Sequence, residues 1–237
     1  SNATLHNFDE IRKKNIQVGD IVEIQRAGDV IPQILRVVKK NTKKNVSIKA
    51  PKICPICGSK TYKEDDEAVL RCLNNYGCYA QKVSQIIHFI GKKGLNIDGF
   101  GEKQVKQFFD LKLIDNIFDI FFLKDHKNKI GDIEGWGKLS IENLVNSIEK
   151  AKTINLDKFI YALGIRFIGE INAEILANEF KTIDNFIFSA KNIEKLSNID
   201  GLGPKAIFSI KSYFSFDKNL ALVKQLSKIL DIKEIKI

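Results

Sequence analysis

A multidomain, mainly α-helical fold is predicted for this 237-residue chain by three observations. All four cysteines fall within residues 54–78. A glycine-rich hairpin between apolar helical runs recurs at a nearly constant spacing. Strand-like sequence is confined to residues 18–50. The expected order is a short β segment over residues 1–50, a small four-cysteine zinc finger over 51–82, and an all-α part of four helix-hairpin-helix units over 83–230, with 231–237 starting a linker.

The β segment rests on Ile21, Val22 and Ile24, then Val30, Ile31, Ile34, Leu35, Val37 and Val38, then Val46 and Ile48. These are β-branched or apolar runs separated by turn residues, among them Arg26-Ala27-Gly28-Asp29. Three strands are too few to close a barrel, and so small a sheet is marginal on its own. The segment is therefore expected to be part of a larger domain.

The quartet has metal-ligand spacing. Two residues separate Cys54 from Cys57, fourteen separate Cys57 from Cys72, and five separate Cys72 from Cys78. A knuckle of the form Cys-Pro-Ile-Cys-Gly turns tightly enough to aim two sulfurs at one ion, and the second pair completes a tetrahedron. Two disulfides or four unrelated buried thiols would be the alternatives, but nothing here has the layout of a secreted chain, and all four cysteines cluster within residues 54–78. Because four thiolates close the coordination shell, the zinc is expected to be structural, with no position open for a reacting water. His6, His88 and His126 are then left without a metal role, the last two as helix-surface or loop residues.

The repeat is plain in Ile97-Asp98-Gly99-Phe100-Gly101-Glu102-Lys103, Ile133-Glu134-Gly135-Trp136-Gly137-Lys138 and Ile199-Asp200-Gly201-Leu202-Gly203-Pro204-Lys205. A fourth copy, third in chain order, reads Gly164-Ile165-Arg166-Phe167-Ile168-Gly169-Glu170. The second glycines, at 101, 137, 169 and 203, lie 36, 32 and 34 residues apart. In each unit the middle apolar residue would anchor the turn. The glycines would let backbone N–H groups at the start of the second helix approach a phosphate. Such contacts position a protein on duplex DNA without reading its sequence. Phe167 stands where the other copies have their first glycine, which leaves a packing role open for the third hairpin.

Charge and composition agree with an anionic partner. The net charge is +9, yet its excess sits in residues 1–53, with 11 Lys and Arg against 5 Asp and Glu, whereas residues 95–237 hold 21 against 20. The helical part would then grip an anion with placed backbone dipoles more than with bulk charge. No apolar run approaches the roughly 20 residues that span a bilayer, so no membrane role is expected.

Taken together, Ala3-Thr4-Leu5-His6-Asn7, Gly19-Asp20-Ile21-Val22, Arg26-Ala27-Gly28-Asp29-Val30-Ile31-Pro32, the four cysteines and the four hairpins resemble the bacterial NAD-dependent DNA ligases. The resemblance implies that the β segment is the second half of an OB-fold. It also implies an adenylation domain before this chain and a BRCT domain after it, both outside the sequence. Ser1-Asn2-Ala3 resembles the scar of a removed expression tag. The parent enzyme would use NAD and Mg²⁺ to seal nicks in duplex DNA during replication and repair. Neither NAD nor Mg²⁺ would bind here. The family's nucleophile lies in a Lys-x-Asp-Gly motif, whereas Asn96-Ile97-Asp98-Gly99 has Asn in the lysine's place, so this part alone is expected to be catalytically inactive. By the same resemblance, Arg26 would meet phosphate while Val30 and Ile31 pack on sugars in the minor groove.

The expected DNA contacts are thus Arg26, Val30, Ile31, Gly99, Gly101, Lys103, Gly135, Gly137, Lys138, Gly169, Gly201, Gly203 and Lys205, with Cys54, Cys57, Cys72 and Cys78 on zinc. The expected partners are nicked double-stranded DNA and the adenylation domain of the same protein, in a bacterial cytoplasm and associated with the nucleoid. Two other functions fit parts of the pattern: the hairpin region of a different repair enzyme, and a zinc-organised scaffold for protein partners.

Overall fold

A computed structural model describes residues 2–5, 7–26, 31–42, 46–64 and 67–235. They form two compact units, Ser1–Gln81 and Lys82–Ile237.

The first unit opens with a short helix, α1 (Phe8–Lys13), which the periodicity did not disclose. Its local signals are nonetheless present. The Asn7 side chain accepts from the Asp9 N–H at 2.8 Å, acidic residues occupy the first turn, and Arg12 and Lys13 occupy the last, as the helix dipole favours. Strands β1 (Ile21–Gln25) and β2 (Gln33–Lys39) pair antiparallel with two register irregularities. Ile11, Ile16 and Ile34 make the small core, flanked by Phe8, Val22, Val37 and Ile48. The third strand expected near Val46 and Ile48 is reduced to one bridge between Gln17 and Ser47. Side chains close that end of the sheet instead. The Asp20 carboxylate accepts from the Asn41 N–H at 2.8 Å and the Gln17 N–H at 2.9 Å, and pairs with Lys40 at 3.1 Å. A two-stranded pair, β3 (Thr61–Tyr62) with β4 (Arg71–Cys72), carries the cysteine segment.

The second unit is a helical array. Its elements are α2 (Tyr79–Ile90, beginning at the unit boundary), α3 (Glu102–Asp110), a 3-10 helix (Asp119–His126), α4 (Lys127–Gly131) and α5 (Lys138–Ala151). After strand β5 (Thr153–Asn155) come α6 (Leu156–Ala162), α7 (Glu170–Phe180), α8 (Ile183–Ser189), α9 (Ile193–Ser197), α10 (Pro204–Ser215) and α11 (Asp217–Ile229). Each long helix buries a stripe at three- and four-residue spacing, such as Val105, Phe108 and Phe109, or Ile141, Leu144 and Ile148. These stripes join one continuous core with Phe89, Phe159, Phe186 and Phe214 at its centre.

Two features depart from the sequence expectation. Asp231–Lys233, expected to start a linker, form strand β6, which pairs in parallel with β5, and the Asp231 N–H donates to the Lys152 carbonyl at 2.8 Å. His88, expected on a helix surface, is half-buried. Its Nε2 lies 2.8 Å from the Tyr161 carbonyl and its ring 4.7 Å from the Tyr161 ring, tying α2 to α6. His126 ends the 3-10 helix, and His6 lies outside the described residues.

Candidate metal centre and nucleic-acid interface

The four cysteine sulfurs converge from two turns. In the first, the Gly58 N–H donates to the Cys54 carbonyl at 2.9 Å and the Cys54 N–H to the Ser59 carbonyl at 2.7 Å, with Gly58 at φ +72 where the chain reverses. In the second, the Cys78 N–H donates to the Asn74 carbonyl at 2.9 Å. The Asn74 side chain links the two turns through Ser59 Oγ at 3.1 Å. All four sulfurs lie within 4.8 Å of one another, and Cys57 and Cys72 approach to 3.6 Å. A tetrahedral zinc with bonds of about 2.3 Å needs sulfurs about 3.8 Å apart, so the donor set fits that ion. Electrostatics points the same way. Hydrogen bonding from Ser59 holds the Cys57 thiol down at about 6, against an ordinary 9.0. At Cys72 the Asn74 N–H lowers the thiol most strongly of any one contact, but burial and the neighbouring Cys57 and Cys54 together push it up to about 12. Sulfurs this close cannot all ionise without a cation among them. The quartet is a structural zinc site with a closed shell.

The four hairpins share one backbone. In each, the N–H of the middle apolar residue donates to the carbonyl three residues back: Phe100 to Ile97, Trp136 to Ile133, Ile168 to Ile165 and Leu202 to Ile199. The residue before the middle one has positive φ, at +75 for Gly99, +87 for Gly135, +62 for Phe167 and +83 for Gly201. That is the third position of a type II turn, which ordinarily takes glycine. The third hairpin therefore keeps the shape of its sisters although Phe167 replaces the glycine. Holding an L side chain in this region costs about 1–2 kcal/mol.

The second glycines play a different part. Gly101, Gly137, Gly169 and Gly203 are the N-caps of α3, α5, α7 and α10, at φ −94, −90, −85 and −72. Any residue adopts these angles. A Cβ at Gly137, Gly169 or Gly203 would meet nothing within 4 Å, and at Gly101 it would meet only Gln104 Oε1 at 3.4 Å. Serine or aspartate would cap slightly better. Neither conformation nor internal packing calls for glycine here. What the missing side chains provide is clearance above the first-turn amides, which a helix leaves without intrahelical partners. Gly101 is a partial exception, since its own N–H donates to Gln104 Oε1 at 3.2 Å.

Lys103, Lys138 and Lys205 stand exposed in the first turns of α3, α5 and α10. A cation there opposes the helix dipole, an arrangement that suits an external anion better than the free helix. Pro204 fills the first turn of α10, where its missing N–H costs nothing. The middle residues Phe100, Ile168 and Leu202 are buried as anchors, while Trp136 is half-buried, its ring 5.0 Å from Phe108 and its Nε1 donating to Gln107 at 3.2 Å.

The hairpins are also associated in pairs, which the regular spacing does not reveal. Hairpins one and two share a cleft lined by Gly99, Lys103, Gln107, Gly135, Trp136 and Asn143, among others. In hairpins three and four, Lys205 Nζ lies 5.7 Å from the Phe167 ring, and a Cβ on Gly201 would lie 3.0 Å from Ile175 of α7. In the first unit, Arg26 and Ile31 are exposed, the latter by 67%, while Val30 lies outside the described residues.

Fold and site together define a class: a chain with a structural four-cysteine metal knuckle and paired helix-hairpin-helix units. Comparison with known families sharpens it. Residues 1–46 match the NAD-dependent DNA ligase OB-fold domain, residues 54–80 the NAD-dependent DNA ligase C4 zinc finger domain, and residues 158–223 the helix-hairpin-helix motif. Among curated proteins, a DNA ligase of Pelagibacter ubique is 48% identical over 99% of this chain, one of Rickettsia bellii 43% over 100%, and one of Rickettsia conorii 42% over 100%. Residues 1–46 and 54–80 thus carry two domains of the NAD-dependent DNA ligases, and the chain is similar to DNA ligases along its whole length. It spans about a third of the length of these relatives, 36% of each.

Proposed function

We propose that this chain is the duplex-clamping region of an enzyme that seals nicks in double-stranded DNA with NAD and Mg²⁺, the adenylation chemistry residing in another domain of the same protein. The sequence contains no Lys-x-Asp-Gly motif, so this region holds DNA and does not activate it. One observation carries the reading: four helix N-termini are capped by glycines that neither backbone angle nor packing requires, each leaving open space above its first-turn amides. Phosphodiester oxygens fit that space and the positive end of the helix dipole. Lys103, Lys138 and Lys205 would add charge at the rim, and Arg26 and Ile31, with Val30, would meet backbone and sugars from the OB segment. Such a protein works in the bacterial cytoplasm, where the nucleoid lies.

A salt series on the zinc-loaded chain with nicked duplex tests this. With cationic contacts at Arg26, Lys103, Lys138 and Lys205, affinity is expected to fall by roughly 10² between about 50 and 200 mM salt. A flat response would exclude a phosphate clamp and favour a protein-binding scaffold. Tighter binding to nicked than to intact duplex is expected only if the OB segment engages the break.

A further inference from the structure

The third hairpin carries a side chain that its phosphate-binding geometry does not explain. Phe167 sits at φ +62 in a turn position that its three sisters give to glycine, and it is 38% exposed. The ring makes contacts that a glycine could not. Two cations lie over it: the Arg166 guanidinium carbon at 4.6 Å from the ring centre and Lys205 Nζ at 5.7 Å. Arg166 is the ring's chain neighbour. Lys205 belongs to the fourth hairpin, two residues past the bare N-cap Gly203. The ring thus reaches from one hairpin to the DNA-facing end of the next. An unsupported lysine is a compact charge on a flexible four-carbon stem and must lose that freedom to hold a phosphate. One resting on an aromatic face is already ordered beside the amides of α10.

We infer that Phe167 is a positioning residue, a strut between the third and fourth hairpins that holds Lys205 over the first turn of α10 for a duplex phosphate. This rests on the proposed clamp and assigns the third hairpin a task within it. The third hairpin gives up its glycine and serves its neighbour's phosphate site.

The test uses the full 237-residue chain with zinc, comparing Phe167→Asn, Lys205→Ala, their combination and Gly203→Val on a duplex salt series. Asparagine tolerates positive φ, so the turn survives without the ring. Phe167→Asn is expected to weaken binding about two- to five-fold. Lys205→Ala is expected to weaken it and to lower the salt slope by about one. The double variant should bind no worse than Lys205→Ala alone, since the ring acts only through that lysine. A Phe167→Asn loss that multiplies with that of Lys205→Ala overturns the strut, as does unchanged binding in Phe167→Asn. If Gly203→Val weakens binding while Lys205→Ala does not, the strut fails and the clamp stands; if neither weakens it, both fail.

Discussion

Two glycines two residues apart do different work in the first, second and fourth hairpins, and substitution separates them. Gly99 needs its positive φ, so Gly99→Val strains the turn and is expected to lower both thermal stability and DNA affinity. Gly101 has ordinary angles and only the Gln104 side chain near its face, so Gly101→Val should cost the helix no more than a poorer N-cap, about 1 kcal/mol, and lower the melting temperature less than Gly99→Val. Its branched side chain would nonetheless hold a phosphate away from the α3 amides. Loss of a charge-assisted hydrogen bond of about 1.5–3 kcal/mol predicts roughly a ten-fold or greater drop in affinity, read by fluorescence anisotropy beside calorimetric melting. Equal loss of stability in both variants would show that the second glycine is a folding residue. Asp20 offers a titration at the same scale. Hydrogen bonds from the Asn41 and Gln17 N–H groups and Lys40 hold its carboxyl below the ordinary 3.8, though burial opposes them. A carboxyl lowered in the folded state stabilises fully above its unfolded value and loses that contribution as pH falls through the folded one. Melting of the first unit should therefore weaken below about pH 4, and Asp20→Asn should flatten that dependence.

Short elements here depend on what crosses between them. The cysteine segment has two strands of two residues and almost no core of its own, so the metal replaces one. Structural zinc contributes roughly 10–16 kcal/mol in isolated finger peptides. Chelation is therefore expected to unfold residues 51–78 while leaving the helical signal of the second unit, which circular dichroism and proteolysis can follow separately. Strand β6 is a second case. Ile232 packs on the main core and its strand pairs with β5 over three residues, so truncation before Asp231 should lower the melting temperature of the helical unit by a few degrees, at about 2–4 °C per kcal/mol. An unchanged melting temperature would mean that β6 is peripheral. Sequence reading missed β5 and β6 because a three-residue strand has no measurable period and its partner lies 78 positions away. It missed α1 for a milder reason: one and a half turns bury a single residue, Ile11, although the Asn7 cap was there to be read.

Across the whole molecule, charge is arranged unlike that of a simple basic DNA binder. Residues 95–237, with 21 Lys and Arg against 20 Asp and Glu, are close to neutral, so their affinity is expected to come from amides that glycine exposes, with lysines at a few helix starts. The lysines at those helix starts release counterions on meeting phosphate, so a salt slope should persist in a chain restricted to the helical unit. The zinc quartet and the repeated hairpins were legible in the sequence because each is written in local chemistry: thiols at fixed separations, and glycines where a turn must take positive φ or a backbone must stay uncovered. How the repeats are used was not. The spacing near 34 residues describes four equivalent units, whereas folding groups them in pairs, through Trp136 against Phe108 and Gln107 in the first pair and Phe167 against Lys205 in the second. The sequence by itself determined the two cysteine knuckles and the glycine-capped hairpins, since each depends on neighbours within a few residues. Only the tertiary structure decided which hairpins cooperate, and that Phe167 keeps the glycine's backbone angle, because both follow from packing between residues far apart in the chain.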